Sequence, residues 1–460
     1  MTETQVTRRL AEWIAAPRDL SDIPSSVRDE GVRTFFNWLG CAVGGATHET
    51  VDRAIAAISP FAGPAQSSLL GRGERLDVPN AAFVNGISSH VLDYDDTHLK
   101  TIIHPAGPVA SAILAVAEHR PVDGRRFLEA LITGVEVECR IGNSVYPDHY
   151  DRGWHITGTA GVFGAAAAVA RLLDLDVQRT SWALGIAATQ ASGLREMFGT
   201  MCKSFHPGRA AQNGLMAAVL AEAGFDSSER AIEAPRGFAN VLSTKQDYSQ
   251  ILDGLGETWE AGLNSYKPFA CGIVIHPAID GCRQLRDELG AETMAGVTAV
   301  RLRTHPLVLE LTGKTEPRTG LESKFSVYHA AACALLRGDG SPTAFTDEAA
   351  NAPELVALRR RVAATTDESI EEDQVAIEVE LSDGRTVTRF VEHALGSIHR
   401  PLSNDQLTEK FAKQANPVIG EGPTTVLMDL AWHLADLPDA SVVARTAALR
   451  DDRAMAAAAE

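Results

Sequence analysis

Within the fifteen residues from His90 to His104 the chain gathers three carboxylates and three imidazoles: His90, Asp93, Asp95, Asp96, His98 and His104, with Thr97 among them. Such groups are expensive to bury unless they pair with one another. A carboxylate beside a histidine fixes its tautomer and raises its basicity, which a general base or acid near neutral pH requires. A solvated loop capped by Asp and Thr has the same composition, so the stretch gains weight from what accompanies it. His155 stands between Gly153 and Gly158 just ahead of an alanine-rich segment, a usual place for a site residue presented by a rigid element. Lys203, His206 and Arg209 open another helical segment, where the helix dipole favours an anion, although polar residues are ordinary at helix starts. Lys267 lies in Ser265-Tyr266-Lys267-Pro268-Phe269, ahead of His276-Pro277, where the sequence changes texture. That is either a proline-stiffened linker or the edge of a cleft between domains, a favoured place for ligands.

The elements that must hold these residues are mostly helices. Ala106–Glu118, Arg126–Gly142, Gly158–Leu173, Thr180–Phe198 and Arg209–Ala223 carry small and apolar residues at helical spacing, and strand signals are nearly absent up to about residue 265. Gly161, Gly164, Ala165 and Ala168 fall on one helical face, which lets helix axes approach closely. After Tyr266 the pattern changes: Val297–Thr304 and Val375–Leu381 alternate apolar and polar residues, and Ser382-Asp383-Gly384-Arg385 supplies a turn before Thr386–Val391, which reads as a β-hairpin. Ser323–Arg337 reads as a helix, Ser403 with Gln406 as a capping box opening a helix over Asp405–Gln414, and Thr424–Ala458 as helix returning to the first domain. The acidic run Glu371–Asp373 reads as a solvated turn. The expected fold is mainly α, with an all-helical domain formed by residues 1–265 and 405–460 and a smaller α+β domain formed by residues 266–404.

Length and charge bound the function. A chain of 460 residues exceeds one ordinary core of about 100–200 residues. Lys plus Arg number 42 against 60 Asp plus Glu, and the net charge of -18 repels nucleic acid and acidic membrane surfaces. The six cysteines are scattered with no CxxC pair, as expected of reduced thiols in the cytoplasm. Leu10, Trp13 and Ile14 mark a helical face rather than a signal peptide, and no segment reaches the roughly 20 apolar residues of a membrane span.

Six blocks, NGISSHVLDYDDTH, HPAGPVASAILAVAE, GWHITGTAGVFGAAAAVA, KSFHPGRAAQNGLMAAVLAEAGF, YKPFACGIVIHPAID and SKFSVYHAAACALL, resemble the MmgE/PrpD family in its order and over most of the chain. The resemblance implies a helical domain joined to a smaller α+β lid, a homodimer, and a cleft site that uses no metal or organic cofactor. It implies a lyase acting on a small di- or tricarboxylate, of the 2-methylcitrate dehydratase kind. The family's other reactions, decarboxylation of a cis-aconitate-like acid and epimerisation of an iminodisuccinate-type amino dicarboxylate, are the alternatives. Position by position, Asp93, Thr97, His104, His155 and Lys203 correspond to catalytic residues, and Lys267 keeps the lysine at the domain junction. Two positions depart from the decarboxylase pattern. Gly272 stands where a histidine is expected, and the lid tyrosine aligns with His329, next to Tyr328. The helical half is kept and the lid half altered, which argues against cis-aconitate as the natural ligand.

The reactions of this family share a carbanion next to a carboxylate, whose charge must be stabilised as it develops. Lys203 and Lys267, helped by Arg209, are expected to hold substrate carboxylates, and His104 and His155 to move protons. Asp93 is expected to orient a histidine, Thr97 to bond the substrate or leaving hydroxyl, and His276, Tyr328 and His329 to close the site from the lid. Three readings compete. Asp93-Tyr94-Asp95-Asp96 matches the DxDD acid motif of class II terpene cyclases, but a chain with 6% aromatic residues lacks the walls a carbocation needs. His90, Asp93, Asp96 and His98 could serve a metal hydrolase, although their spacing fits no standard metal signature. A scaffold that has lost turnover is at odds with the intact Asp93, His104, His155 and Lys203 set.

Overall fold

A computed structural model describes residues 5–449 of the chain. Its 22 α-helices and small sheets make the protein mainly α. The helices begin where local chemistry predicts. Asp77 caps Val78–Val91 by accepting from the Asn80 amide, and the Pro79 ring sits in the first turn, where a missing N–H costs nothing. Asp123 and Asp176 cap Gly124–Val145 and Val177–Ala188 in the same way. The Ile156–Leu172 helix opens directly after His155 and is buried over nearly its whole length.

Glycines set how closely these helices approach. A β-carbon on Gly86 would lie 2.6 Å from the Gly208 Cα, and one on Gly208 would lie 2.4 Å from the Phe83 carbonyl oxygen. The Val78–Val91 and Cys202–Glu222 helices therefore cross backbone against backbone. His90, one turn beyond Gly86 on the same face, is carried to the first turn of its partner, where Lys203 stands. The face predicted at Gly161 and Gly164 is used likewise, with hypothetical β-carbons 2.5 Å from Pro108 Cγ and 2.9 Å from the Gly134 carbonyl oxygen.

Two expectations in this half need correction. The predicted Thr180–Phe198 helix stops at Ala188, and Gly193 at φ +132° turns the chain so that its carbonyl accepts the His155 amide at 3.0 Å. Strands are also present here: Asp96–His98 pairs antiparallel with Asn264–Tyr266, Asp96 opposite Tyr266, tying the acidic segment to the residue before Lys267.

A second hydrophobic cluster surrounds a four-stranded sheet in the order Val362–Thr366, Val297–Thr304, Val375–Leu381, Thr386–Val391. The first pair is parallel and the other two antiparallel, with Gly384 at φ +88° in the predicted hairpin turn. The Val362–Thr366 strand was not expected, because only its first residue is buried and no alternation shows. His276–Leu289 and Val327–Arg337 pack in this cluster, the latter starting four residues after the predicted Ser323. The run Glu371–Asp373 is a turn with Glu371 and Glu372 exposed, as expected; it also rims a cleft, and Asp373 pairs with His393 at 2.9 Å.

The Ser403–Gln406 capping box is formed and opens Asn404–Ile419. That helix packs on Ser25–Gly45, with Phe36 and Phe411 ring centroids 4.7 Å apart, and with Glu421–Trp432 and Val442–Ala447 it joins the hydrophobic cluster of the first 265 residues. The last residues of the predicted Thr424–Ala458 helix, from 450 on, lie outside the described residues. Among the described residues no helix is long and apolar enough to cross a membrane.

Candidate active site

The Val78–Val91 helix ends by a left-handed turn at Asp93, φ +51°, whose amide bonds the His90 carbonyl at 2.8 Å. Asp tolerates this conformation better than most residues with a β-carbon. The turn aims Asp93 at two lysines: Oδ1 accepts from Lys203 Nζ at 3.0 Å and from Lys267 Nζ at 2.5 Å. Burial opposes its ionisation, but the two ammoniums hold its carboxyl well below the usual carboxylate range. Burial also weakens Lys267, yet Asp93 and Asp95 win and raise it, whereas burial dominates at Lys203 and lowers it. Asp93 therefore organises lysines and does not orient a histidine as expected.

The carboxylate that orients a histidine is Asp95. Its Oδ2 is 2.6 Å from His90 Nδ1, and Lys203 Nζ donates to His90 Nε2 at 2.9 Å. An ammonium only donates, so His90 is the Nδ1–H tautomer, neutral, and spanned on both sides. His104 is fixed differently. Its Nδ1 donates to the Asp96 carbonyl at 2.7 Å and lies 3.2 Å from Thr97 Oγ1, while its amide donates to Thr157 Oγ1 at 3.1 Å. This leaves Nε2 as the basic nitrogen of a ring that lines the site cavity. Burial and the Lys267 charge hold His104 well below the usual imidazole range, so it is neutral at pH 7. Thr97 thus lies against His104 and does not line the cavity.

His155 completes the polar set. Its Nδ1 is 2.7 Å from His206 Nδ1, and burial followed by His206 keeps it well below the usual imidazole range, with His206 itself lowered to about 4 by burial. The His104 and His155 ring centroids are 6.3 Å apart. These two, with Asp93, Lys203 and Lys267, line a cavity of ≈ 30 Å³ closed by Tyr150, Phe198, Gly272, Ile273, Leu311, Thr312 and Phe325. A wider cleft of ≈ 720 Å³ adjoins it across Phe198 and Leu311.

Four predicted residues lie elsewhere. Arg209 donates to Gln212 Oε1 and rests over the Phe83 and Phe205 rings. His276 faces the Cys271 carbonyl at 3.4 Å and lines a neighbouring cleft. His329 donates from Nε2 to the Ala344 carbonyl at 2.8 Å, inside the second cluster. Tyr328 packs, half-buried, against that cluster. None of the four lines the ≈ 30 Å³ cavity. In their place the second cluster supplies Gly272, Thr312 and Phe325, and buries Lys324, whose Nζ donates to the Leu92 carbonyl at 2.6 Å and the Ala270 carbonyl at 2.8 Å. Sequence reasoning missed His90 as an oriented member of the site, although its spacing to Asp93 and Asp95 was visible. For Lys324 the only signal was its place in the SKFS block.

The competing readings lose their residues. His98 bonds Thr101 and Glu260, away from His90. Asp96 is pushed up to about 7 by burial and the neighbouring Asp95, but it faces the Ala106 amide and Asn264 rather than the cavity. Asp93, held ionised, cannot start a carbocation cascade by giving up a proton. Two sets among the described residues are close enough to share a metal: His90 with His104 and His155, and His90 with Asp93 and Asp95. Both use His90, where a dication would have to displace the Lys203 ammonium 2.9 Å away.

Fold and site together define a helix-rich protein with a buried cavity of paired imidazoles and ammoniums. Residues 8–251 match the model of the MmgE/PrpD N-terminal domain and residues 269–435 that of the MmgE/PrpD C-terminal domain, so the chain belongs to the MmgE/PrpD family. It is 26% identical to the cis-aconitate decarboxylase of Aspergillus terreus over 95% of this chain and 94% of the relative. It is 27% identical to the cis-aconitate decarboxylase of Homo sapiens over 89% and 88%. It is 23% identical to the mitochondrial 2-methylcitrate dehydratase of Yarrowia lipolytica over 87% and 82%.

Proposed function

We propose that the protein is a metal-independent lyase that takes a proton from the carbon next to a carboxylate of a small di- or tricarboxylate and expels a group from the neighbouring carbon. The observation that carries this reading is His104: a neutral imidazole whose Nδ1 is tied to a backbone carbonyl and whose basic Nε2 belongs to a cavity shared with two ammoniums. In the dehydratase form, His104 Nε2 takes the α-proton. The C–H electron pair becomes the new C=C bond, the β C–O bond breaks, and neutral His155 gives the departing hydroxide its Nε2 proton, so that water leaves; the proton that His104 has gained then returns to His155, and both imidazoles end neutral. For this His155 carries its proton on Nε2, with His206 Nδ1–H donating to His155 Nδ1 across their 2.7 Å contact. Lys203 and Lys267 oppose the charge that builds on the substrate carboxylate. The kinship with 2-methylcitrate dehydratase and cis-aconitate decarboxylase supports the substrate class.

In this reading residues 266–404 are a lid on the helical domain formed by residues 1–265 and 405–460. A cavity of ≈ 30 Å³ holds a water or two but no tricarboxylate, so substrate entry requires the second cluster to move, and the wide cleft across Phe198 and Leu311 is the side from which it opens. The test is to incubate the purified protein, after treatment with a chelator, with 2-methylcitrate, citrate and cis-aconitate in deuterated water and to follow each by NMR. An alkene with loss of water is the expected product. Turnover that needs added metal, or none with any of the three, overturns the proposal.

A further inference from the structure

We infer that the hollow between Lys203 and Lys324 is a second carboxylate subsite, which receives a carboxylate of the substrate other than the one beside the reacting carbon. The inference rests on the carboxylate reading above and deepens it. The hollow adjoins the main cavity, sharing Asp93, Lys203 and Phe325 with it, and is also walled by His90, Thr200, Ser204, Leu321 and Lys324.

Donor counting singles this place out. An ammonium has three N–H donors. Lys410, also buried, spends all three, on Asn37 Oδ1, the Tyr94 carbonyl and the Lys267 carbonyl, and so holds backbone together. Lys203 spends two, on His90 Nε2 and Asp93 Oδ1. Lys324 also spends two, on the Leu92 and Ala270 carbonyls. Each keeps one donor beside a hollow that both line. Charge counting agrees. Around the hollow and the cavity it adjoins, the ammoniums of Lys203, Lys267 and Lys324 stand against the ionised carboxylates of Asp93 and Asp95, an excess of one positive charge among these five buried groups. An uncompensated buried charge calls for a partner of opposite sign. Lys324, which burial lowers to about 8, is still charged at pH 7, and the stacked rings of Phe198 and Phe325 cover one side of the Lys203 ammonium. Lys324 comes from the second cluster and Lys203 from the first, so a carboxylate held by both is bound only when the two halves are together.

The test compares two unreactive probes by titration calorimetry: tricarballylate, and methylsuccinate, which lacks one terminal carboxylate. Lys324→Met should weaken tricarballylate by about 10–100-fold, the worth of a lost charged hydrogen bond, and leave methylsuccinate unchanged. Lys324→Arg should restore most of the loss. Because Lys324 also ties two carbonyls, Leu321→Glu serves as a second variant: it puts a carboxylate into the hollow with Lys324 intact, and should weaken tricarballylate selectively as well. Equal weakening of both probes by both variants, or no weakening of tricarballylate, overturns the subsite. If the wild-type protein binds neither probe, the carboxylate reading itself fails, and the subsite with it.

Discussion

The two walls of the cavity are built on different plans. On the first-cluster side Asp93, His104, His155 and Lys203 each have a second partner that fixes them, and the helices behind them meet through glycine backbones. On the second-cluster side Gly272, Ile273, Leu311 and Phe325 offer shape alone, and the Thr312 hydroxyl is turned back to the Val308 carbonyl. Proton transfer tolerates little error in distance, and the proposed mechanism places it where backbone cannot shift. Selection among carboxylates needs only shape and a well-placed charge, which the movable wall can carry.

The sharpest way to break the comparison is to remove chemistry from the fixed wall while keeping its shape. His104→Gln preserves a planar polar side chain but no basic nitrogen, and should lower kcat by about 10²–10⁴-fold, with an unchanged unfolding midpoint. A neutral His104 also means that kcat/KM stays level as pH falls to the usual imidazole value, dropping only below it, because burial and Lys267 depress this group. An acid limb centred at or above pH 6.5, or turnover by His104→Gln within a few-fold of wild type, would assign the base elsewhere.

A second prediction concerns stored charge in the same wall. Burial and the neighbouring Asp95 push the Asp96 carboxyl up to about 7, and Asp96 Oδ1 has no hydrogen-bond partner among the described residues. Because the folded carboxyl is harder to ionise than the unfolded one, the unfolded state loses its proton first as pH rises. Stability from this group is therefore fully present below about pH 4, falls between pH 4 and 7, and is level above that window. Asp96→Asn has no proton to lose and keeps an oxygen for the Ala106 amide and Asn264. Relative to wild type it should gain roughly 2–4 kcal/mol on going from pH 4 to pH 8, read from urea unfolding at each pH. A constant difference between the two proteins across that range contradicts the burial argument.

The same contrast decides what was legible in the sequence. Long helices with small-residue faces, the hairpin at Asp383-Gly384 and the Ser403 capping box are local patterns, and they stand close to where spacing put them. The identities of His104, His155, Lys203 and Lys267 were legible because residue type and block order carry them. The division of labour among Asp93, Asp95 and Asp96 was not, because it turns on one left-handed residue at the end of a helix. The three-residue strands Asp96–His98 and Asn264–Tyr266 are too short for any period. On the second wall, the residues that reach the cavity are set by how one cluster seats on the other. Tyr328 and His329 lie in a helix that packs into its own core, and of the preceding residues Phe325 lines the cavity and Lys324 the adjoining hollow.

The smallest effects should come from one methyl group placed on each wall. Gly208→Ala puts a carbon 2.4 Å from the Phe83 backbone oxygen, which has nowhere to go, and the helix crossing that presents His90 to Lys203 must open. Overpacking of this kind should cost about 1–3 kcal/mol of stability and lower kcat as well. At Gly272, whose φ is −54°, the nearest atom is the Thr312 Cγ2 methyl at 3.2 Å, followed by the Lys324 carbonyl at 3.6 Å. The methyl can give by a few tenths of an ångström, so Gly272→Ala should leave unfolding within about 0.5 kcal/mol of wild type. Because Gly272 lines the cavity, the added carbon instead takes room from the substrate, and should raise KM by about 3–10-fold at constant kcat, the pattern of lost uniform binding. If Gly272→Ala lowered kcat as Gly208→Ala does, the second wall would be part of the proton-transfer geometry, and the separation of chemistry from selection would not hold.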